Sequence, residues 1–222
     1  MLNKIVQTII CVTLVSLSAN SIASLRQYIA KVENSTWELK DETRLQCTLS
    51  HLLPGYGEAL FSSIASKKLN MEFELDMLRL PNSYGVAAVY SVPPKWMPGQ
   101  VQRTISDMTI RKQYKGDLPE KAAWTMLTEL EKGFWPTIYY QDEYNQYDKV
   151  AVGLNASNFA VPYEKFAECV ANLLPYSFQD IAYTVLTYQF NNTKLTKYSQ
   201  KRLAMIGEYL KEDTNLELVL LD

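Results

Sequence analysis

The sequence has little of what metal centres and most hydrolytic sites require. Among its 222 residues there is one histidine, His51, which excludes a metal centre with two histidine ligands and a relay of two histidines. Lysine and arginine total 22 against 24 aspartate and glutamate residues, so the chain lacks the basic surface of a nucleic-acid-binding protein. What remains, 47% apolar and 21% charged, is the composition of an ordinary folded domain.

The first 23 residues have the pattern of a secretory signal peptide. Lys4 gives a positive start, and residues 5–17 form an apolar stretch too short to cross about 30 Å of hydrocarbon. Ser21 and Ala23 place small residues before a cleavage point at Ser24. An uncleaved membrane anchor is the alternative. We therefore expect a mature chain that begins at Ser24, lies outside the cytoplasm and has no membrane span.

Cleavage at that point removes Cys11 and leaves two cysteines, Cys47 and Cys169. In an oxidising compartment two thiols form one disulfide by default. For so long a loop, the chain-entropy model gives the bridge about 5 kcal/mol of stabilisation. Two separately buried free thiols are the alternative.

Residues 24–118 are predicted to consist of strands and turns. The clearest strand pattern covers residues 69–77, where apolar and polar side chains alternate as on a half-buried antiparallel strand. Further strands are predicted at residues 45–49, 85–92, 108–114, 137–141 and 150–154. Short strands at this spacing predict a sandwich or a small barrel.

Two helices are predicted in the same region. Asp117 and Glu120 offer a capping box at the start of the first helix, and Gly133 can end it in the left-handed conformation. Glu129 is assigned to the solvated face of this helix. The second helix is predicted over residues 162–174 with Cys169 on its apolar side, where a disulfide would fasten it to the strand at residues 45–49.

The C-terminal part has a different pattern, and a domain boundary is predicted at Pro175. A strand at residues 180–190, a helix from Thr196 to Lys211 and a strand at residues 216–221 predict a β-α-β unit. The fold class is therefore α+β. An antiparallel, β-rich, barrel-like domain with two helices spans residues 24–174, and an incomplete β-α-β unit spans residues 175–222. We expect this unit to expose strand edges and to fold loosely.

No combination of residues indicates an enzyme or a cofactor site. His51 adjoins Ser50, but the members of a catalytic triad meet through the fold rather than through adjacency. The glycines beside Tyr56 lack the third glycine and the setting of a nucleotide loop. Adjacent acidic pairs at residues 142–143 and 212–213 do not define a glycosidase site. Four tyrosines offer either a contact surface or strand packing: Tyr139, Tyr140, Tyr144 and Tyr147.

Several segments agree in order and spacing with one known family. They lie at residues 61–63, 65–68, 73–75, 127–133, 140–142, 172–174 and 176–178. Cys47 and Cys169 fall where that family has its two mature cysteines. Through these features, which extend over essentially the whole chain, the sequence resembles the MotY family of periplasmic proteins from sodium-driven polar flagellar motors.

The resemblance implies a non-enzymatic structural component of the motor. In that family the N-terminal domain associates with the flagellar basal body and with MotX in the T ring, which helps to hold the PomA/PomB stator units around the rotor. The C-terminal domain of the family is OmpA-like and binds peptidoglycan through an aspartate and an arginine. Here the expected pair lies beyond Asp222, which implies a truncated OmpA-like domain and argues against peptidoglycan binding.

Three alternatives remain open at this point. The chain could be an OmpA-like envelope protein that binds peptidoglycan through residues 175–222, or a truncated remnant without function. It could also be a small-ligand-binding barrel, which an apolar cavity in the first domain would favour and a filled interior would exclude.

Overall fold

The computed structural model describes residues 24–143 and 148–220. Within these residues the predicted α+β class is confirmed, with one sheet of ten strands and four α-helices. The strands are β1 (Leu25–Ile29), β2 (Trp37–Glu42), β3 (Gln46–Leu53), β4 (Gly57–Ile64), β5 (Glu72–Met77), β6 (Gly85–Val92), β7 (Arg103–Ile110), β8 (Gly116–Leu118), β9 (Trp135–Gln141) and β10 (Lys149–Gly153). The helices are α1 (Glu120–Glu131), α2 (Ala160–Ala171), α3 (Phe178–Ile181) and α4 (Lys197–Glu212). The predicted signal peptide lies outside the described residues.

The sheet curls until its two ends approach each other. Its strand order is β1-β10-β9-β6-β7-β8-β5-β4-β3-β2, and β1 pairs with β10 in parallel while the other pairs are antiparallel. Trp37 of β2 donates from Nε1 to the carbonyl oxygen of Asn155, just after β10, at 2.9 Å. Because β10 is the partner of β1, this bond joins opposite ends of the sheet. The predicted barrel-like curvature is therefore present, in one curled sheet rather than in a two-sheet sandwich.

Strand β5 begins later than its sequence pattern predicted. Phe73, Leu75 and Met77 are buried as expected, but Leu69 is 64% exposed and the strand starts at Glu72. The Asn70 amide accepts from the backbone nitrogen of residue 64 and donates to its carbonyl oxygen, both at 2.9 Å. This side chain occupies the end of β4, so backbone pairing with β5 can begin only after it.

Helix α1 packs against β5, β7 and β9, and its first turn differs from the prediction. Pro119 is the N-cap residue, and no side-chain hydrogen bond caps α1 among the described residues. Asp117, the predicted cap, instead belongs to β8 and pairs with Glu74 of β5. The predicted end is correct, because Gly133 has a φ of 81° directly after the C-cap residue.

The C-terminal part contains the predicted helix but not the two predicted strands. Thr196 caps α4 by accepting from the backbone nitrogen of Ser199 at 3.2 Å. Residues 180–190 instead start in α3, where Ser177 and Asp180 form a capping box, and continue without regular structure to an isolated bridge. Residues 216–220 have no strand pairing either, and Leu221 lies outside the described residues. The alternating side chains in 180–190 had no sheet to bury them: Tyr183 is 83% exposed.

A second, smaller core holds this C-terminal part against the sheet domain. Its buried apolar members are Ala65, Leu174, Tyr176, Ile181, Ile206 and Tyr209. Because Ala65 follows β4 directly, α3 and α4 contact the sheet domain where β4 ends. The polar contacts at this junction include Arg44 with Glu208 at 2.7 Å and the Lys67–Asp180 ion pair. None of the helices in the described ranges is long and apolar enough to cross a membrane.

Candidate functional site

The structure contains a disulfide between Cys47 and Cys169. Cys47 lies in β3 and Cys169 in α2, with their Cα atoms 6.0 Å apart and 122 residues of sequence between them. Both cysteines are buried in the main core. The bridge therefore attaches α2 to the part of the sheet, β2 and β3, on which this helix packs.

His51 is a structural residue in the core. Its Nδ1–H donates to the carbonyl oxygen of Thr36 at 2.9 Å, and its Nε2 accepts from the backbone nitrogen of Asn155 at 3.4 Å. The ring stacks on Trp37 with centroids 4.2 Å apart. Burial lowers the pKa of His51 to about 4, despite the opposing effect of its hydrogen bond to Thr36. A neutral imidazole with both nitrogens in use leaves no free atom for acid–base chemistry.

Asn155 connects the two ends of the curled sheet, and the sequence pattern gave no sign of it. Its carbonyl oxygen accepts from Trp37 and from the Ser35 hydroxyl, and its side-chain amide donates to the carbonyl oxygen of Ala30 at 2.8 Å. The residue is completely buried. These bonds fix the β1–β2 connection onto the loop after β10.

Glu129 is buried rather than solvated, which corrects the sequence interpretation. Its carboxylate accepts from the Ser91 hydroxyl, from Arg103 at 2.7 Å and from Lys132 at 2.8 Å. Burial alone would raise the pKa of Glu129, but these hydrogen bonds and the two positive charges hold it below the ordinary value. Each contact lies within the fold, so the cluster serves stability and does not form a reactive site.

The main concave feature, which we call the mouth groove, opens at one end of the curled sheet. It has a volume of about 690 Å³ and lies between the β3–β4 turn, the β5–β6 loop and the ends of β1 and β9. Apolar side chains from the inner face of the sheet line it: Met77, Met108, Ile110 and Val150. Charged side chains line it as well, among them Arg79 and Asp142, so the groove meets only in part the apolar cavity that the ligand-binding alternative required.

Tyrosines form one wall of the mouth groove. The hydroxyls of Tyr56 and Tyr140 are 3.0 Å apart, and the rings of Tyr28 and Tyr56 lie 5.0 Å apart. Burial raises the pKa of Tyr56 and of Tyr140, so both stay neutral at physiological pH. Tyr139 contacts Tyr90 instead, and Tyr144 and Tyr147 lie outside the described residues. Of the two cluster members that the structure describes, Tyr140 lines the groove and Tyr139 does not.

The rim of the mouth groove combines a fixed loop with exposed apolar side chains. Glu143 accepts from the backbone nitrogens of Asn82 and Ser83 at 2.9–3.0 Å, which ties the β5–β6 loop to the end of β9. Three apolar side chains on this rim point into solvent: Leu78 at 80% exposure, Tyr84 at 77% and Val86 at 68%. Such a rim suits contact with another protein, because aromatic and aliphatic anchors dominate interface cores.

The described residues do not form a metal-binding cluster. Within residues 24–143 and 148–220, no group of three or more histidine, cysteine, aspartate or glutamate side chains could hold a metal ion. Arg26 pairs with Asp142 at 2.9 Å on the groove side, so this carboxylate has a cationic neighbour from the chain itself.

Comparison with known proteins gives one family. A family model described as the MotY N-terminal domain matches residues 28–175. The curated sodium-type flagellar protein MotY of Vibrio parahaemolyticus serotype O3:K6 is 42% identical over 205 residues, which cover 92% of this chain and 70% of that relative. The range of the family model contains strands β2 to β10, helices α1 and α2 and both cysteines of the disulfide.

Proposed function

The chain belongs to the MotY family of flagellar motor proteins, and from this premise we propose that it is a non-enzymatic component of the T ring in the periplasm. The observation that carries the proposal is the 42% identity over 92% of the chain to a sodium-type flagellar protein. In this role the sheet domain associates with the basal body and with a MotX-like partner. It thereby supports the stator units around the rotor.

Four features support the finer assignment: the predicted signal peptide, the disulfide, the Asn155 contacts and the Glu129 cluster. The predicted signal peptide directs the chain out of the cytoplasm, and the disulfide suits an oxidising compartment. The disulfide, the Asn155 contacts and the Glu129 cluster tie separate elements of the sheet domain together. A rigid body of this kind can transmit force between partners with little deformation.

The mouth groove is the surface that we assign to the MotX-like partner. Its rim exposes Leu78 and Tyr84 on the β5–β6 loop, which Glu143 holds in place, and Val86 at the start of β6. A groove of about 690 Å³ accepts a few apolar side chains of a partner segment and is too small for a folded domain. Preorganisation of the loop lowers the entropy cost of such binding.

Retention of the protein in isolated basal bodies tests both the motor role and the assignment of the groove to the partner. The mature protein is produced in cells that lack their own copy, and isolated basal bodies are probed for it. We expect the wild-type chain to be retained. The amount of the double variant Leu78→Glu/Tyr84→Ser in the basal bodies should be at least tenfold lower. Val161→Glu is the matched control, because Val161 is 65% exposed on α2 and does not line the groove.

The outcomes separate the alternatives. Equal retention of all three forms would contradict the assignment of the groove but keep the motor role. Absence of the wild-type protein from basal bodies, while it is abundant in the periplasm, would contradict the motor role itself. Pelleting of the same protein with purified cell wall would instead support the peptidoglycan-binding alternative.

A small apolar ligand is a second candidate occupant, favoured by the unfilled groove. Native mass spectrometry of protein purified from the periplasm would show such a ligand as a constant added mass that Tyr84→Ser reduces. A spectrum of the bare chain alone argues against this candidate.

A further inference from the structure

The first described residue is already held by an acidic side chain. The backbone nitrogen of Ser24 donates to Asp148 Oδ1 at 3.1 Å, and the Ser24 carbonyl oxygen accepts from the backbone nitrogen of Lys149 at 3.0 Å. Ser24 is also the residue before which the sequence predicts signal-peptide cleavage. The nitrogen atom that cleavage would release is thus the atom that contacts Asp148.

The surroundings of this nitrogen are anionic and largely shielded from water. The side chains of Asp142 and Asp148 are 5% and 12% exposed. Arg26, whose side chain is 50% exposed, lies 2.9 Å from Asp142 and 3.8 Å from Asp148. Both carboxylates therefore meet at Arg26, and Asp148 also contacts the Ser24 nitrogen. A positive charge on that nitrogen is electrostatically favoured beside the Asp148 carboxylate.

We propose that the processed N-terminus of the mature chain is a structural cation that closes this cluster. Hydrolysis adds water across the Ala23–Ser24 peptide bond, which leaves a carboxylate on Ala23 and an amine on Ser24. The amine takes up a proton, and the resulting α-ammonium pairs with Asp148. This inference rests on the predicted cleavage position and is independent of the motor function.

The pair acts on an edge strand of the sheet. β1 has five residues, lies at the end of the sheet and pairs with β10 alone among the described strands. Arg26 and Tyr28 of this strand line the mouth groove. An ion pair at Ser24 fixes the start of β1 on β10, so cleavage completes both the sheet edge and one wall of the groove.

The α-ammonium gives the contact a defined pH dependence. An α-amino group ordinarily has a pKa of about 7.7–8.0, and a neighbouring carboxylate raises that pKa. The charged side chains of the same network are Asp148 just before β10, Arg26 of β1 and Asp142 at the end of β9, and Glu143 and Arg79 line the groove beside Asp142. The added stability is therefore complete below about pH 7.5 and is lost as pH rises through the raised pKa.

A double-mutant cycle tests the proposal. The full mature chain beginning at Ser24 is compared with the same chain carrying two additional glycines before Ser24, each with Asp148 and with Asp148→Asn. Thermal unfolding is followed from about pH 6 to 9.5. In the Asp148 pair we expect the Ser24 form to melt about 2–4 °C higher at pH 6.5, with the gap closing near pH 9.5. With Asp148→Asn the gap disappears.

The cycle removes the effect of Asp148 on Arg26, because that effect is common to both N-termini. Asp107→Asn, an exposed position on β7, is the matched control and should leave the gap unchanged. Two results would overturn the proposal: equal melting of the two N-termini at pH 6.5, or a gap that persists with Asp148→Asn. An exported protein whose intact mass places its first residue elsewhere than Ser24 would also overturn it.

Discussion

At the scale of single residues, His51 shows how burial determines chemistry. Its ring lies between Trp37 and the Thr36 and Asn155 backbone, and burial lowers its pKa to about 4. An unfolded chain would bind the proton near pH 6.5. The imidazole therefore stays neutral in the folded protein, and between pH 6.5 and 4 stability falls as the pH falls, because the unfolded state binds more protons.

NMR can test this directly, since His51 is the only histidine in the chain. We expect the ring proton shifts of an untagged mature protein to change by less than a tenth of a full titration between pH 7.5 and 5.5. The unfolded protein in urea is the internal control and should titrate near pH 6.5. A titration midpoint near 6.5 in the folded protein would show that the ring is accessible to water and would contradict the buried arrangement.

At the scale of elements, helix α2 depends on the disulfide for its position. It packs on β2 and β3, and the Cys47–Cys169 bridge is the covalent link between this helix and the sheet. For a loop of 122 residues the chain-entropy model gives about 5 kcal/mol. We expect Cys47→Ala/Cys169→Ala to lower the free energy of unfolding by about 2–5 kcal/mol in urea titrations.

Reducing agent supplies the matched control for this prediction. The wild-type protein in dithiothreitol should fall to the stability of the double variant, whereas the double variant should not respond to it. Stability of the wild-type chain that is unchanged after complete reduction, verified by thiol titration, would contradict the prediction.

At the scale of the whole molecule, the sequence predicted those elements whose pattern agrees with their burial. The sequence predicted β6 and α4 correctly. In β6 the alternating apolar side chains are buried, and in α4 the helically spaced apolar side chains contact the second core. The strand predicted at residues 180–190 was wrong because alternation alone does not supply a neighbouring strand, and the capping box at Ser177 starts a helix instead. Period and composition could not reveal Asn155 or Glu129, since their partners lie far away in sequence.

The mouth groove was equally hidden from the sequence. It forms where four separate segments meet at one end of the curled sheet, and nothing in Met77 or Tyr140 taken singly marks them as neighbours of a cavity. The disulfide was predictable because an exported chain with two cysteines is expected to join them. The fold class was predictable because the order of strand-like and helix-like patterns along the chain indicates it.

The C-terminal part is attached to the sheet domain through a small core. Its core has few buried side chains, and its ion pair between Arg44 and Glu208 has both side chains more than 40% exposed. Solvent-exposed pairs of this kind contribute little to stability. The backbone amides of α4 should therefore exchange with solvent deuterium faster than those of the main sheet, as the sequence-based expectation of loose folding requires.

Hydrogen exchange of the full mature chain measures this difference, and one variant assigns it to the junction. Arg44→Ala removes the ion pair and should speed exchange in α4 by up to about fivefold, while β4 and β6 remain unchanged. Arg111→Ala is the control, because it breaks a similarly exposed pair with Asp117 on the sheet and should leave α4 unaffected. If α4 is protected as strongly as β4 in the wild-type chain, the second core is as stable as the first, and the sheet domain and the C-terminal part unfold as one cooperative unit.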